Sequence, residues 1–374
     1  MTARPPAAAG RPVRVAVVGL GWGRREIWLP RLAAHPGFEV VAVVDPQPVV
    51  RDQAHDTHAV ASAYADVEDL PAGTVDLAVV AVPNHLHAVV AVRLLRRGVP
   101  VFLEKPVCLT SAEAGILADA GARRRRGAAG RQRRRYRADD RALADVAAGW
   151  ADPARRCGLG SRPRVPDAGG WFTRRDQSGG GALVDLGWHL LDTVLPLLGP
   201  ARVTHAIGSV SDDFVNDSAA HAAWRGGADT AGHVPGDVED TARGSCSPTP
   251  APPSPCTPAG PRTSRWTAPP SPCTAPPVGD AALHLRLQSQ PRAHAGADAY
   301  PRRPDRAAAA AREPIGAEYD HQLDALPGLL ADPAARGAAV VEARRTIDII
   351  ERIYQCARPT RPERQHALVG HRAG

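Results

Sequence analysis

The chain has 374 residues, 44% hydrophobic and 4% aromatic, enough for two domains with a sizeable core. It shows no leading apolar segment and no run of bilayer length, so a secreted or membrane-anchored protein is set aside and a cytoplasmic one is expected. The net charge of +7 is no nucleic-acid signature: nine arginines lie between Arg123 and Arg137, and without them the remaining charge is −2. Six cysteines (Cys108, Cys157, Cys246, Cys256, Cys273 and Cys356) lack zinc-ligand spacing and read as reduced thiols, with no metal site.

The first element is a continuous apolar, β-branched run at 13–18, the pattern of a strand buried on both faces. It ends in Gly19-Leu20-Gly21-Trp22-Gly23-Arg24, and a helical pattern follows through Ile27, Leu29 and Leu32. A second buried strand at 40–44 stops at Asp45. Strand, glycine turn, helix, strand and acid is the order of a dinucleotide-binding fold. Gly19 permits the tight turn, Gly21 lets backbone approach a pyrophosphate, and Asp45 is placed to accept hydrogen bonds from a ribose diol. A carboxylate there repels a 2′-phosphate and favours NAD, although Asp45 alone leaves NADP open. The third position of the glycine fingerprint is Arg24, a departure from Gly or Ala.

Alternation continues with a strand at 75–82 ending in Pro83-Asn84-His85-Leu86-His87, a helix carrying Val89, Val92, Leu94 and Leu95, and a strand at 99–103 that delivers Glu104-Lys105-Pro106. Ligands of open parallel sheets sit beyond the carboxyl ends of strands, so Asn84, His85 and Lys105 are expected at one crevice. Pro106 holds Lys105 extended, and a cis bond fits there. A helix is expected at 111–120.

The run Gly179-Gly180-Gly181 opens an apolar helix with Asp185 and His189 four residues apart, which at α-helical pitch stacks a carboxylate and an imidazole on one face. Leu186, Leu190, Val194 and Leu197 are expected to pack the rest of the segment. Taken alone, the pair is either a proton-transfer device or a satisfied core pair.

These four blocks resemble the glucose–fructose oxidoreductase / inositol dehydrogenase (Gfo/Idh/MocA) family: Gly19-Leu20-Gly21 with Asp45, Pro83 to His87, Glu104-Lys105-Pro106, and the run from Gly179 to Asp192. The resemblance implies an α/β chain, with an N-terminal Rossmann doubly wound parallel sheet over 1–136. An α+β substrate and dimerisation domain follows over 137–358, with an open, mainly antiparallel sheet and a closing helix at 338–357. It implies an NAD(P)-dependent oxidoreductase moving a hydride between nicotinamide and a sugar or cyclitol hydroxyl or ketone, assembled as a homo-oligomer (dimer or tetramer). It assigns Lys105, Asp185 and His189 to catalysis: the lysine to the reacting oxygen, the aspartate to substrate and lysine, the histidine to acid/base work. Cofactor contacts are implied for Gly19, Leu20, Gly21, Trp22, Gly23, Asp45, Pro83, Asn84, His87, Glu104 and Lys105.

Two stretches depart from that pattern. The arginine-rich 121–134 offers no buried strand where the nucleotide sheet needs one more. The segment from Ser247 to Pro277 has 12 prolines in 31 residues, with Pro-Pro-Ser-Pro-Cys-Thr at Pro252 and again at Pro269, and is expected to form no central strand. The wider region 244–312 shares the anomaly, and Arg155 to Gly158 is a smaller instance. Disorder, or a displaced reading frame in a GC-rich gene, gives this composition. If the sheet is broken, the alternative is a catalytically impaired dinucleotide-binding sensor or regulator.

Overall fold

The computed structural model describes residues 11–21, 27–58, 60–123, 128–129, 136, 155–160, 170–198, 202–213, 215–216, 235–249, 283–288, 316–332, 335 and 337–357. Valine-rich runs with no polar face can be satisfied only between two layers, and they form the first sheet. Its strands are β1 (Val13–Val18), β2 (Phe38–Val44), β3 (Ser62–Tyr64), β4 (Leu77–Val80), β5 (Val101–Leu103) and β6 (Ala128–Ala129), in the order β3-β2-β1-β4-β5-β6. Every pairing in it is parallel. Strand order reverses between β1 and β4, which opens a crevice beyond their carboxyl ends.

Helices α1 (Leu29–Ala34), α2 (Pro48–His58), α3 (His87–Arg96) and α4 (Ser111–Arg123) connect these strands. One face of the sheet buries Ala16, Val18, Ala78 and Val80 with α3, α4 and a later helix. The other buries Val15, Val17, Leu77 and Val79 with Trp28, Leu29 and Leu32. That second face is closed from the far end of the chain by α7 (Ala317–Ala331), whose Tyr319, Leu323 and Leu326 are buried in the same cluster. The Trp28 ring meets Phe102 edge-on at 5.1 Å and Tyr319 at 5.5 Å. The region expected over 137–358 therefore shares α7 with the nucleotide-binding layer.

The second sheet has the order β7-β10-β9-β8, from β7 (Arg155–Gly160), β8 (Arg202–Ser211), β9 (Thr241–Thr249) and β10 (Leu283–Gln288). Its β8–β9 and β9–β10 pairs are antiparallel, and β10–β7 is parallel. The closing helix α8 (Ala338–Ala357) buries Val340, Ala343, Ile347, Ile350 and Ile353. It lies close on β8 and β9 because glycine faces it there: a Cβ on Gly208 would stand 2.7 Å from Ile353 Cγ2, and one on Gly244 2.9 Å from Ile353 Cδ1.

Three expectations are corrected. A two-residue strand, Ala128–Ala129, does pair with Val101 and Phe102, so the arginine-flanked stretch completes the first sheet. Two alanines between arginine runs carry no periodicity, yet they are enough for a short edge strand. Ser247, Pro248 and Thr249 belong to β9, the strand between β8 and β10. Proline is tolerated there because β10 pairs with β9 only over Thr241–Cys246, leaving a paired strand on one side, and Pro248 sits opposite Val203 where the β8 register shifts. Arg155 to Gly158 forms part of β7. Residues 250–277 lie outside the described residues. Among the described residues no helix is long and apolar enough to cross a membrane.

Candidate active site

The crevice is built first from the nucleotide-binding side. Gly19 adopts φ +85°, and a Cβ there would stand 2.9 Å from both the Ala81 carbonyl oxygen and Val82 Cγ1. Its N–H donates to Val44 O at 2.8 Å, which ties the turn to the end of β2. Asp45 closes the same corner: Oδ2 accepts the Leu20 N–H at 2.8 Å and Oδ1 the Gln47 N–H at 2.9 Å. The glycine turn and the β2 acid are thus one unit, and each carboxylate oxygen keeps lone pairs for a diol. Gly21 is exposed, and Trp22 and Gly23 lie outside the described residues. Gly19→Ala is expected to weaken NADH binding by tenfold or more, about 1.4 kcal/mol, because left-handed strain and backbone overlap act together; a tryptophan-fluorescence titration with NADH checks it.

Beyond β5, the Lys105–Pro106 peptide is cis. The loop is braced by Glu104, whose Oε1 accepts the Trp28 indole N–H at 2.8 Å and Oε2 the Lys105 N–H at 3.0 Å. His87 is fully buried, with Nδ1 2.6 Å from Pro106 O and Nε2 2.9 Å from Val82 O. Both ring nitrogens face main-chain oxygens, so the side chain pins the β4 loop to the Lys105–Pro106 loop. Pro83 precedes a short 3-10 turn (Asn84–Leu86) that starts α3. Asn84 donates from Nδ2 to Ser178 O at 2.9 Å, and His85 Nδ1 is 3.2 Å from Gln177 O. The β4 loop therefore grips the segment just before the second glycine run.

That segment is α5 (Arg175–Ser178), capped by Gly179 at φ +82°. The following helix does not hold α-helical pitch throughout. Leu183–Gly187 is a π-turn, and α6 (Trp188–Val194) continues from it. The stretch from Asp185 to His189 therefore runs through a π-turn instead of regular α-helix throughout. Such bulges recur at functional sites. Leu186, Leu190 and Val194 are buried as expected, while the Leu197 side chain lies outside the described residues.

The turn carries Asp185 to Lys105, whose Nζ donates to Asp185 Oδ1 in an ion pair, each side chain 26% exposed. His189 follows one turn along the same helix and is buried, 9% exposed. An ammonium and a carboxylate at an accessible wall, with an imidazole on the same helix, can stabilise an alkoxide and move a proton. The nearby Cys108 thiol offers no nucleophile: burial, then Glu113 and Glu351, pushes it up to about 12.

Residues 13–127 match the family described as "Oxidoreductase family, NAD-binding Rossmann fold", and 157–247 match the GFO/IDH/MocA C-terminal domain. The chain belongs to the Gfo/Idh/MocA oxidoreductase family. A Gfo/Idh/MocA relative from Amycolatopsis mediterranei, named for the oxidoreductase subunit of UDP-kanosamine synthase, is 43% identical over 92% of this chain and 96% of its own. The D-glucoside 3-dehydrogenase of Escherichia coli is 28% identical over 52% of this chain and 56% of its own. The crystal structure of GenD2 from gentamicin A biosynthesis, in complex with NAD, shares the fold at TM-score 0.68 and 20% identity, covering 95% of this chain and 97% of that one.

Residues that sequence reasoning passed over also converge on this Gfo/Idh/MocA site. Glu239 and Tyr354 meet at the start of the Asp185 helix, where the Tyr354 hydroxyl donates to Glu239 Oε1 at 2.6 Å. Burial and the adjacent Glu239 carboxylate push the Tyr354 phenol well above its ordinary value. Composition held a stronger signal for Lys105 than its place before a proline: of 46 basic residues, 45 are arginine, and Lys105 is the single lysine in the chain.

Proposed function

We propose that this chain oxidises a secondary hydroxyl of a glucose-type sugar, at C3, with NAD as hydride acceptor, and that Lys105, Asp185 and His189 carry the reaction. The observation that supports it most is the Lys105–Asp185 ion pair, formed between a loop of the first sheet and a turn of the second region. In the oxidation, His189 takes the hydroxyl proton as general base while the hydride leaves the same carbon. Lys105 holds the developing alkoxide as a fixed cation, and Asp185 aims the Lys105 ammonium and receives a neighbouring sugar hydroxyl. Reduction of the ketone runs these roles backwards.

The corner residues fit a dinucleotide: Gly19 leaves backbone open where a Cβ would collide, and Asp45 presents acceptors to an adenosine ribose. When bound, NAD supplies the hydride acceptor. The Asp45 carboxylate supports NAD over NADP. A sugar is favoured over a cyclitol because the relatives above carry names for UDP-kanosamine synthesis and D-glucoside 3-dehydrogenation. The intact Lys105–Asp185 pair supports a working enzyme rather than a silent sensor.

We also place the nucleotide-binding domain at 1–136 and the substrate domain at 137–358. Full-length protein with NAD and a panel of methyl glucoside, UDP-glucose and myo-inositol tests the reading. NADH is expected from a glucosyl substrate; turnover of inositol alone, or of none, overturns it.

A further inference from the structure

Glu239 is a buried acid that the catalytic proposal does not use. Glu239 lies just before β9, with its side chain 2% exposed. A buried carboxylate is costly unless donors surround it, and here four do. Oε1 accepts the Gly181 N–H at 3.0 Å, the Leu183 N–H at 2.9 Å and the Tyr354 hydroxyl at 2.6 Å, while Oε2 accepts Arg175 at 3.0 Å. Its own main-chain oxygen accepts the Ala182 N–H at 2.8 Å. Three successive N–H groups at the start of the Asp185 helix, which no intrahelical oxygen can reach, therefore end on one residue.

The fit tolerates no slack. A Cβ on Gly181 would overlap the Glu239 main-chain oxygen, and one on Gly180 would overlap the Tyr354 hydroxyl. Arg175 in turn lies over the Tyr354 ring, 5.1 Å from its centre. From Gly181 the link continues directly, because its carbonyl accepts the Asp185 N–H at 2.9 Å. Asp185 then reaches Lys105.

We propose that Glu239 is a positioning residue of the active site: it sets the rise and rotation of the π-turn, and through it the approach of Asp185 to Lys105. Tyr354 and Arg175 hold Glu239 in that role. The proposal rests on the assignment of Lys105 and Asp185 to the reaction, but its test need not depend on turnover.

The single lysine makes the test selective. Amine acylation of the full chain, read by peptide mass, reports Lys105 alone apart from the α-amino group. Held against Asp185, Lys105 is shielded; Asp185→Asn releases it and sets the upper rate. Glu239→Asp keeps the charge but withdraws the carboxylate from Gly181 and Leu183. It is expected to speed Lys105 acylation towards the Asp185→Asn rate, about tenfold, and to lower kcat about 10²-fold with KM changed less than about threefold. The double variant is expected to acylate no faster than Asp185→Asn. Glu239→Gln keeps an acceptor oxygen for both N–H groups but turns an amide NH2 towards Arg175, and its acylation rate is expected to lie between those of the parent and Glu239→Asp. Folded Glu239→Asp protein with unchanged acylation, or effects that add in the double variant, overturns the proposal. If no sugar is turned over, the functional reading falls while acylation still decides the role of Glu239.

Discussion

Lys105→Ala lowers kcat by about 10³-fold, the range seen when one fixed donor to a developing oxyanion is removed. The cause is geometric. Lys105 sits at the end of β5 beside a cis proline, with its N–H held by Glu104 and its ammonium held by Asp185. A cation fixed in this way reorganises little as charge grows on the sugar oxygen. Water entering the truncated site would have to reorient for each turnover. No second lysine exists anywhere in the chain to substitute, and an arginine fork presents a wider, planar head than the site has shaped. Lys105→Arg is therefore expected to restore less than a tenth of the lost rate, roughly. NADH affinity should change less than about threefold in either variant, because the ribose corner at Gly19 and Asp45 is untouched. Stopped-flow rates and a fluorescence titration separate the two effects.

His189→Ala is expected to cost about 10³-fold in kcat, the usual span for removing a positioned general base. It carries a second signature. As the base in oxidation, His189 must start neutral, so the parent rate rises with pH as the imidazole loses its proton. That rising limb should vanish in His189→Ala, leaving a profile that follows hydroxide or buffer. In the ketone reduction the sign reverses, and the parent should lose rate as pH rises through the same titration. A variant with full activity and an unchanged pH profile would remove His189 from the chemistry.

The parts legible beforehand are those where one residue type in one place has one physical reading. The run from Val13 to Val18 is apolar at every position but Arg14, and it forms β1 over those residues. Gly19 needs its φ of +85°, and the strand-end lysine finds the helix-borne aspartate. What stayed hidden depends on partners distant in sequence. Ala128–Ala129 becomes a strand only because β5 offers an open edge. Pro248 is accepted in β9 because β10 stops short of it. A π-turn leaves no mark in hydrophobic spacing, so the segment from Leu183 to Gly187 is indistinguishable in sequence from regular α-helix. Tyr354 lies on α8, and only the fold shows its hydroxyl at Glu239, 115 positions away.

Hydride transfer from a sugar carbon is the proposal that the Lys105–Asp185 ion pair supports. Isotope transfer tests that claim most directly: the full-length protein is incubated with NAD and UDP-glucose carrying deuterium at C3, and the NADH formed is weighed by mass spectrometry. NADH carrying the deuterium is expected from the parent, and its formation is expected to be suppressed in Lys105→Ala. Unlabelled NADH, or labelled NADH formed equally fast by Lys105→Ala, would contradict it.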